Sequence, residues 1–350
     1  VKVLNVITDT DRRGAQVFAT DLAEAMGRRG HDVDTVALAP GKSETRLDVQ
    51  VLGPTRFSRA TLRALHQSMR GVDVTVAHGS SAGPACAIAA LPTQPFVYRQ
   101  ISDSAFWANT WPKRVRVAAM LRSARCVVAL SEVAKSKLIE HVWAPADRIE
   151  VIPNGVPRGS FQPATTAKRA RARQHFGIAA TDFVVGYVGA LVPEKGVADA
   201  IAAVEQLPDV QLLVTGDGPQ LTQLQAFAAN LESRVTFTGP ATDVSLTLHA
   251  LDVAVLPSRS EGMPASLIEA GFCGLPAIAT GIGSVSEIVV DGHTGLLIPP
   301  GDVQALTGAI TRLYDDPQLR TTLGAAAERH CIDRFEMTVV TDQWLSMLDR

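Results

Sequence analysis

Short runs rich in Val, Ile, Leu and Ala recur along the chain, bounded by Gly, Asp, Asn or Pro, and longer stretches with apolar residues three and four apart separate them. A short continuous apolar run reads as a strand buried on both faces, and the longer spacing as a helix with one apolar stripe. Strands are predicted at 2–8, 32–38, 73–77, 96–99, 126–130 and 150–152, and in a second series at 183–188, 211–215, 235–238, 253–256, 277–279 and 296–298. Strands alternating with helices imply parallel sheets wound by helices, so the expected class is α/β with two Rossmann-like doubly wound domains. Between the two series lies PNGVPRGSFQPATTAKRARAR, a Pro- and Thr-rich linker running into a basic helix from Lys168. From about Ala305 onward the pattern is helical only.

Composition agrees with a packed core: of 350 residues, 46% are apolar and 19% charged, and the length suits two domains of ordinary size. The net charge of −2 hides an asymmetry, with 20 basic against 14 acidic residues in 1–155 (+6) and 13 against 21 in 156–350 (−8). Neither half is basic enough to expect a nucleic-acid partner. The most apolar stretch, 115–130, is broken by Arg116, Arg122 and Arg125, so no bilayer-spanning helix is expected. The chain opens on strand-like VKVLNVITDT with no secretory pattern, and a cytoplasmic protein is expected. Cys86, Cys126, Cys273 and Cys331 are scattered, with neither zinc spacing nor a disulfide framework, and read as reduced structural thiols.

Glycine fingerprints do not lead to a dinucleotide or an ATPase. Gly216-Asp217-Gly218-Pro219-Gln220-Leu221 follows a strand but has Leu where a third glycine is needed, and no GxxxxGK[ST] occurs. The informative stretch is VAVLPSRSEGMPASLIEA, residues 253–270: a buried strand, a turn, then a helix start behind Pro264. Pro early in a helix wastes no hydrogen bond, and the free amides of Ala265 and Ser266 make an anion site suited to a diphosphate. Glu261 stands in the turn and Glu269 lies eight residues on, in the helix. A carboxylate beside a diphosphate is tolerable where it accepts from sugar or ribose hydroxyls, so the expected ligand is a nucleotide sugar. Taken singly, Glu261 also fits a solvated loop residue and Glu269 a helix-surface charge.

Glu261 and Glu269 in PSRSEGMPASLIEAGFCGLPAIAT, followed by GSVSEIVVDGHTGLLIPPGD, resemble the signature of the retaining family 4 glycosyltransferases, which have the GT-B fold. Ile152-Pro153-Asn154-Gly155-Val156 resembles the family's hinge, Val188-Gly189-Ala190-Leu191 with Glu194-Lys195-Gly196 its phosphate-binding turn, and Gly216-Asp217-Gly218-Pro219 its next loop. Arg13-Gly14-Ala15-Gln16 is a looser match to its first glycine loop.

The resemblance implies two domains facing across a cleft. An acceptor domain over 1–155 would be joined by the last helix, 336–350, and the donor domain would span 156–335. It implies transfer of a sugar from a nucleotide-diphosphate sugar to a hydroxyl of a sugar, glycan or lipid-linked acceptor, with retention, as in glycan biosynthesis, with no cofactor and no metal. Glu261 would hold the donor sugar, Glu269 the ribose and Lys195 the diphosphate. Gly14, Gly189, Gly262, Met263, Ala265 and Ser266 would complete the donor site. His78, at a strand end, would orient donor or acceptor, a loop histidine bonded to backbone being the other reading. Many members carry a second diphosphate cation where this chain has Ala190, and Arg259, Arg12 and Arg13 are the available replacements. That departure keeps a second reading open, a non-catalytic nucleotide-sugar binder; a GT-B nucleotide-sugar epimerase is a third.

For the acceptor, SDSAFWANTW offers Asp103 and Trp107, polar and stacking groups suited to a sugar; packing on its own helix is the alternative. The helix beyond it carries Lys113, Arg114, Arg116, Arg122 and Arg125. It reads either as a solvated face or as a peripheral contact with anionic headgroups at the inner membrane face.

Overall fold

The computed structural model describes residues 1–43, 46–90, 94–101, 108–231, 234–241 and 243–350. In chain order the elements begin β1 (Lys2–Asp9), α1 (Gly14–Arg28), β2 (Asp32–Ala39), β3 (Gln50–Val51), α2 (Arg59–Met69), β4 (Val74–His78), α3 (Ala82–Ala89) and β5 (Phe96–Arg99). They continue with α4 (Trp111–Ser123), β6 (Cys126–Ala129), α5 (Glu132–Val142), β7 (Ile149–Val151), α6 (Thr166–His175), β8 (Phe183–Val188), α7 (Val197–Glu205), β9 (Val210–Thr215) and α8 (Leu221–Phe227). Then follow β10 (Val235–Gly239), α9 (Val244–Ala250), β11 (Val253–Leu256), α10 (Ala265–Phe272), β12 (Ala277–Thr280), α11 (Val285–Ile288) and β13 (Gly295–Ile298). Three helices close the chain: α12 (Val303–Asp315), α13 (Pro317–Phe335) and α14 (Met337–Leu348).

The chain divides into two compact units, one of Val1–Pro157 with Phe335–Arg350 and the other of Arg158–Arg334. The first holds a seven-stranded sheet in the order β3-β2-β1-β4-β5-β6-β7, all parallel. Its strands are apolar on both sides because helices cover both faces. Along β4, Val74 and Val76 pack with Phe18, Leu22 and Met26 of α1, whereas Ala77 joins Leu65, Ala85 and Leu121 on the other face. The last helix completes the first of these layers. Met337, Val340, Trp344, Met347 and Leu348 of α14 fall at helical spacing into the α1 layer, and Trp344 is fully enclosed. Where the chain leaves this unit and where it returns, the two segments pair: Val156 N–H donates to Phe335 O and Met337 N–H to Val156 O.

The second unit holds a six-stranded parallel sheet in the order β10-β9-β8-β11-β12-β13. Its helices start on side-chain caps where the sequence supplies them: Thr165 caps α6, Asp243 caps α9 and Asp302 caps α12. In both sheets the winding direction reverses once, between β1 and β4 and between β8 and β11. Loops leaving the carboxyl ends of strands at such a reversal diverge and leave room for a ligand.

The two-residue edge strand β3 was not predicted. Both of its residues are exposed, so it carries no apolar run to find.

His78 departs from the expectation that it turns toward a ligand. It ends β4 but is 2% exposed, with its ring between Phe18 and Trp344 at centroid separations of 6.2 and 6.5 Å. Asn5 Nδ2 donates to Ala19 O, which turns Asn5 Oδ1 toward His78 Nε2 at 3.1 Å and assigns the imidazole proton to Nε2. Burial, and then the neighbouring Arg99 cation, hold the His78 pKa well below its ordinary value. The unfolded chain therefore takes up a proton near pH 6.5 that the folded chain refuses, so this contribution is present above that pH and lost as pH falls. His249 and His330 are shifted the same way, mainly by burial, so the parent alone does not isolate His78. The urea midpoint of the parent is expected to fall between pH 7.5 and 5.5, and H78Q to fall less. Equal slopes for parent and H78Q would contradict this account.

Candidate nucleotide-sugar site

The loops at the β8/β11 reversal are drawn together by backbone contacts that only glycine allows. After β8 the chain turns through Gly189 and Ala190, makes a short helical turn at Pro193–Lys195, and reaches Gly196 in the left-handed region at φ 66°. A Cβ on Gly196 would lie 2.1 Å from Pro257 O, in the loop after β11. Arg259 N–H donates to Glu194 O at 2.7 Å, and the Arg259 guanidinium pairs with Asp199 at the start of α7. This approach places Lys195 Nζ 2.6 and 2.7 Å from the two oxygens of Glu261. Glu261 is 8% exposed and takes a third bond, from Ser258 Oγ to Oε1 at 2.7 Å. Two side chains that the sequence places 66 positions apart thus share one ion pair at the reversal.

The same loop runs into α10. Pro264 supplies the residue before the helix with no side-chain cap, and the amides of Ala265 and Ser266 have no hydrogen-bond partner among the described residues. Those two N–H groups, with the positive end of the helix dipole, are what an anion would use. Met263 is buried, and Glu269 lies half-buried on the second turn of α10. Behind the loop, Gly283 at φ 53° sits where a Cβ would meet Glu261 O at 2.5 Å, and Ser284 N–H donates to Gly262 O.

The turn after β8 is equally tight. Tyr187 is enclosed, and its hydroxyl donates to Ala190 O at 2.8 Å; a Cβ on Gly189 would lie 2.7 Å from that hydroxyl. Gly216, at φ 142°, comes so close that a Cβ there would sit 1.8 Å from Gly189 O, and one on Gly218 would sit 2.4 Å from Leu191 O. Gly189 N–H donates to Thr215 O and Leu191 N–H to Asp217 O, so the two turns lie backbone against backbone.

Two of the proposed replacements for a cation at Ala190 are already engaged. Arg259 is held by Asp199, and Arg13 pairs with Asp11 and lies 3.7 Å from Asp9. Burial would raise the Asp11 carboxyl, but the Ser43 and Lys42 amides and Arg13 outweigh it and hold the pKa near 2. Arg12 is exposed and makes no ion pair among the described residues. Gly14 opens α1 with open space around its Cβ position, so nothing within its unit demands glycine there. Asp103 and Trp107 lie outside the described residues.

One residue that sequence reasoning missed is Arg99, at the end of β5 beside His78 in the register. It is 1% exposed, its guanidinium lies 3.7 Å over the Phe18 ring, and it donates to Asn154 Oδ1 through one Nη; Nε and the other Nη have no hydrogen-bond partner among the described residues. Burial pulls its pKa down to about 9. Its only mark in the sequence is that it is the one charge in the strand FVYR.

Comparison with known proteins follows the same division. The profile described as Glycosyltransferase Family 4 matches residues 12–159, and that described as Glycosyl transferases group 1 matches 168–330. The chain belongs to the family 4 glycosyltransferases. It is 31% identical over 245 residues to the GDP-mannose-dependent alpha-(1-6)-phosphatidylinositol monomannoside mannosyltransferase of Mycolicibacterium smegmatis, covering 66% of this chain and 63% of that protein. It is 34% identical over 206 residues to the 2-deoxystreptamine glucosyltransferase of Streptomyces kanamyceticus, covering 56% and 53%. The matched stretch thus spans between half and two thirds of each of these relatives. HepE of Anabaena, solved in complex with UDP, superimposes over the full length of both chains with a TM-score of 0.89 at 25% identity, which places this family 4 chain in the GT-B fold.

Because Gly216 has a positive φ and no space for a side chain, G216A is expected to destabilise the protein by about 2–3 kcal/mol, read as a lower urea midpoint. A midpoint unchanged from the parent would show that the two turns can separate without cost.

Proposed function

We propose that the protein transfers a glycosyl group from a nucleoside-diphosphate sugar to a hydroxyl acceptor with retention of anomeric configuration and without a bound metal. The second unit would bind the donor and the first the acceptor. The observation that carries the reading is the Lys195–Glu261 pair at the β8/β11 reversal, in a loop that leads into the uncapped start of α10. Breaking the anomeric C–O bond leaves its electron pair, and one further negative charge, on the departing nucleoside diphosphate, and groups already aimed at that charge lower the barrier most. Lys195 would give up one Glu261 oxygen to meet a phosphate oxygen, and the Ala265 and Ser266 amides would meet the others. Glu261 would accept from the sugar's hydroxyls and Glu269 from the ribose. Gly189 and Gly262 would let backbone approach, and Met263 would close the apolar side. His78, enclosed and neutral, is given no proton to move.

Support comes from relatives at both ends of the reaction. The structural neighbours that match at 25% identity were solved with UDP and with UDP-glucose, and the mycobacterial relative is named for GDP-mannose and phosphatidylinositol monomannoside. K195A is expected to lower nucleotide release from UDP-glucose or GDP-mannose, with a hydroxyl acceptor supplied, by about two decades or more. Excess EDTA should leave the parent's rate unchanged. Donor binding with no nucleotide release would favour a non-catalytic binder. A block by EDTA reversed by manganese would overturn the metal-free mechanism.

We further propose that the protein works on the cytosolic side and meets an anionic membrane surface through α4. No helix among the described residues is long and apolar enough to cross a membrane. On α4, Trp111 is 70% exposed and Val115 40% exposed, among exposed Lys113, Arg116 and Arg122, and residues 111–131 contain no Asp or Glu. Each cation near an anionic leaflet is worth about 1 kcal/mol, screened within a Debye length of about 8 Å. Sedimentation with phosphatidylserine vesicles at low salt should exceed that with phosphatidylcholine and fall when Lys113, Arg116 and Arg122 are changed to Gln. Equal, negligible binding to both would point to a soluble acceptor.

A further inference from the structure

Glu261 has three rotatable bonds, and in the proposed reaction its Lys195 partner turns partly to the diphosphate. Something else must then hold the carboxylate in place. Ser258 is fully enclosed, and because an ionised carboxylate only accepts, its hydroxyl must be the donor in the 2.7 Å bond to Glu261 Oε1. Oε1 also accepts from Lys195, so both its lone-pair directions are used, whereas Oε2 accepts, among the described residues, from Lys195 alone. Ser258 is in turn fixed by Thr280, also fully enclosed, whose Oγ1 donates to Ser258 O at 2.6 Å. Thr280 ends β12, which pairs with β11 through Ala279 and Leu256, so this anchor is built on the sheet itself.

We propose that Ser258, held by Thr280, is a positioning residue that keeps Glu261 Oε1 occupied and thereby presents Oε2 to a hydroxyl of the donor sugar. The inference rests on the reading of Glu261 as the donor-sugar carboxylate. A simple packing role for Ser258 makes a different prediction, since it would disturb the nucleotide and sugar parts of the donor alike. A positioning role acts on the sugar alone.

The test is calorimetric binding of UDP-glucose and UDP, and of GDP-mannose and GDP, to the parent, S258A, S258T and E261Q, with kcat and KM measured for whichever donor turns over. A hydrogen bond to a charged group is worth about 10- to 100-fold. S258A is therefore expected to weaken binding of the nucleotide sugar about tenfold or more and to leave the free nucleotide within twofold of the parent. E261Q should show the same pattern, and S258T, which keeps a hydroxyl donor, should recover most of the loss. The turnover counterpart is a fall in kcat/KM that exceeds any change in nucleotide inhibition. If S258A does not fold, S258C, similar in shape but a weak donor, carries the same comparison. Nucleotide-sugar affinity in S258A within twofold of the parent, or an equal loss for sugar nucleotide and free nucleotide, overturns the role of Ser258 alone. Parent protein that binds neither nucleotide sugar, or an E261Q that binds both as the parent does, overturns the reading of the site and Ser258's role with it.

Discussion

An ion pair across a strand reversal organises the second unit of this protein. Lys195 comes from the loop after β8 and Glu261 from the loop after β11, and each has little freedom to be elsewhere. Gly196 presses against Pro257, Arg259 ties Glu194 and Asp199 to its own loop, and Gly283 backs Glu261 from the loop after β12. In the proposed reaction the pair would be the resting form of two groups needed separately, a cation for the departing diphosphate and an acceptor for sugar hydroxyls. Pairing satisfies both while no ligand is present, since a largely buried carboxylate left alone would carry a desolvation penalty of several kcal/mol.

The glycines around the pair explain how so small a region could hold the proposed diphosphate site. Where Gly189, Gly216 and Gly218 stack turn against turn, main chain replaces side chain, and amides become available in directions that side chains would otherwise block. The cost falls on tolerance to substitution, and a single methyl at Gly216 has nowhere to go. Ala190 adds a constraint, because Lys195 is then the cation of this turn, while Arg259 and Arg13 are occupied by carboxylates of their own.

Much of this was legible from the residues. Twelve of the thirteen strands among the described residues announced themselves as short apolar runs, because strands covered on both faces leave little room for polar residues. The exception, β3, lies at a sheet edge, has two exposed residues and pairs only through backbone, which leaves no pattern. At the site, the Pro264 helix start and the two glutamates pointed to diphosphate and sugar chemistry, and their order along the chain pointed to a family. Ser258 and Thr280 were not legible, because a buried serine or threonine in an apolar context looks like any other until its hydrogen bonds are seen. His78 could be placed at a strand end but not under α14, since the enclosing Trp344 is 266 positions away in sequence and in a helix that returns to the first unit. Arg99 was hidden for a related reason, its company being Phe18 and Asn154 rather than an acid.

The division of the Lys195–Glu261 pair between phosphate and sugar is the claim on which the account stands. It is tested most directly by a crystal structure with an intact nucleoside-diphosphate sugar, UDP-glucose or GDP-mannose, bound in the absence of acceptor. The account predicts a diphosphate oxygen about 3 Å from Lys195 Nζ and from the Ala265 or Ser266 amide. It also predicts Glu261 Oε2 on a sugar hydroxyl, with Oε1 still on Ser258. A bound donor whose diphosphate lies elsewhere, with both Glu261 oxygens still on Lys195, would contradict it.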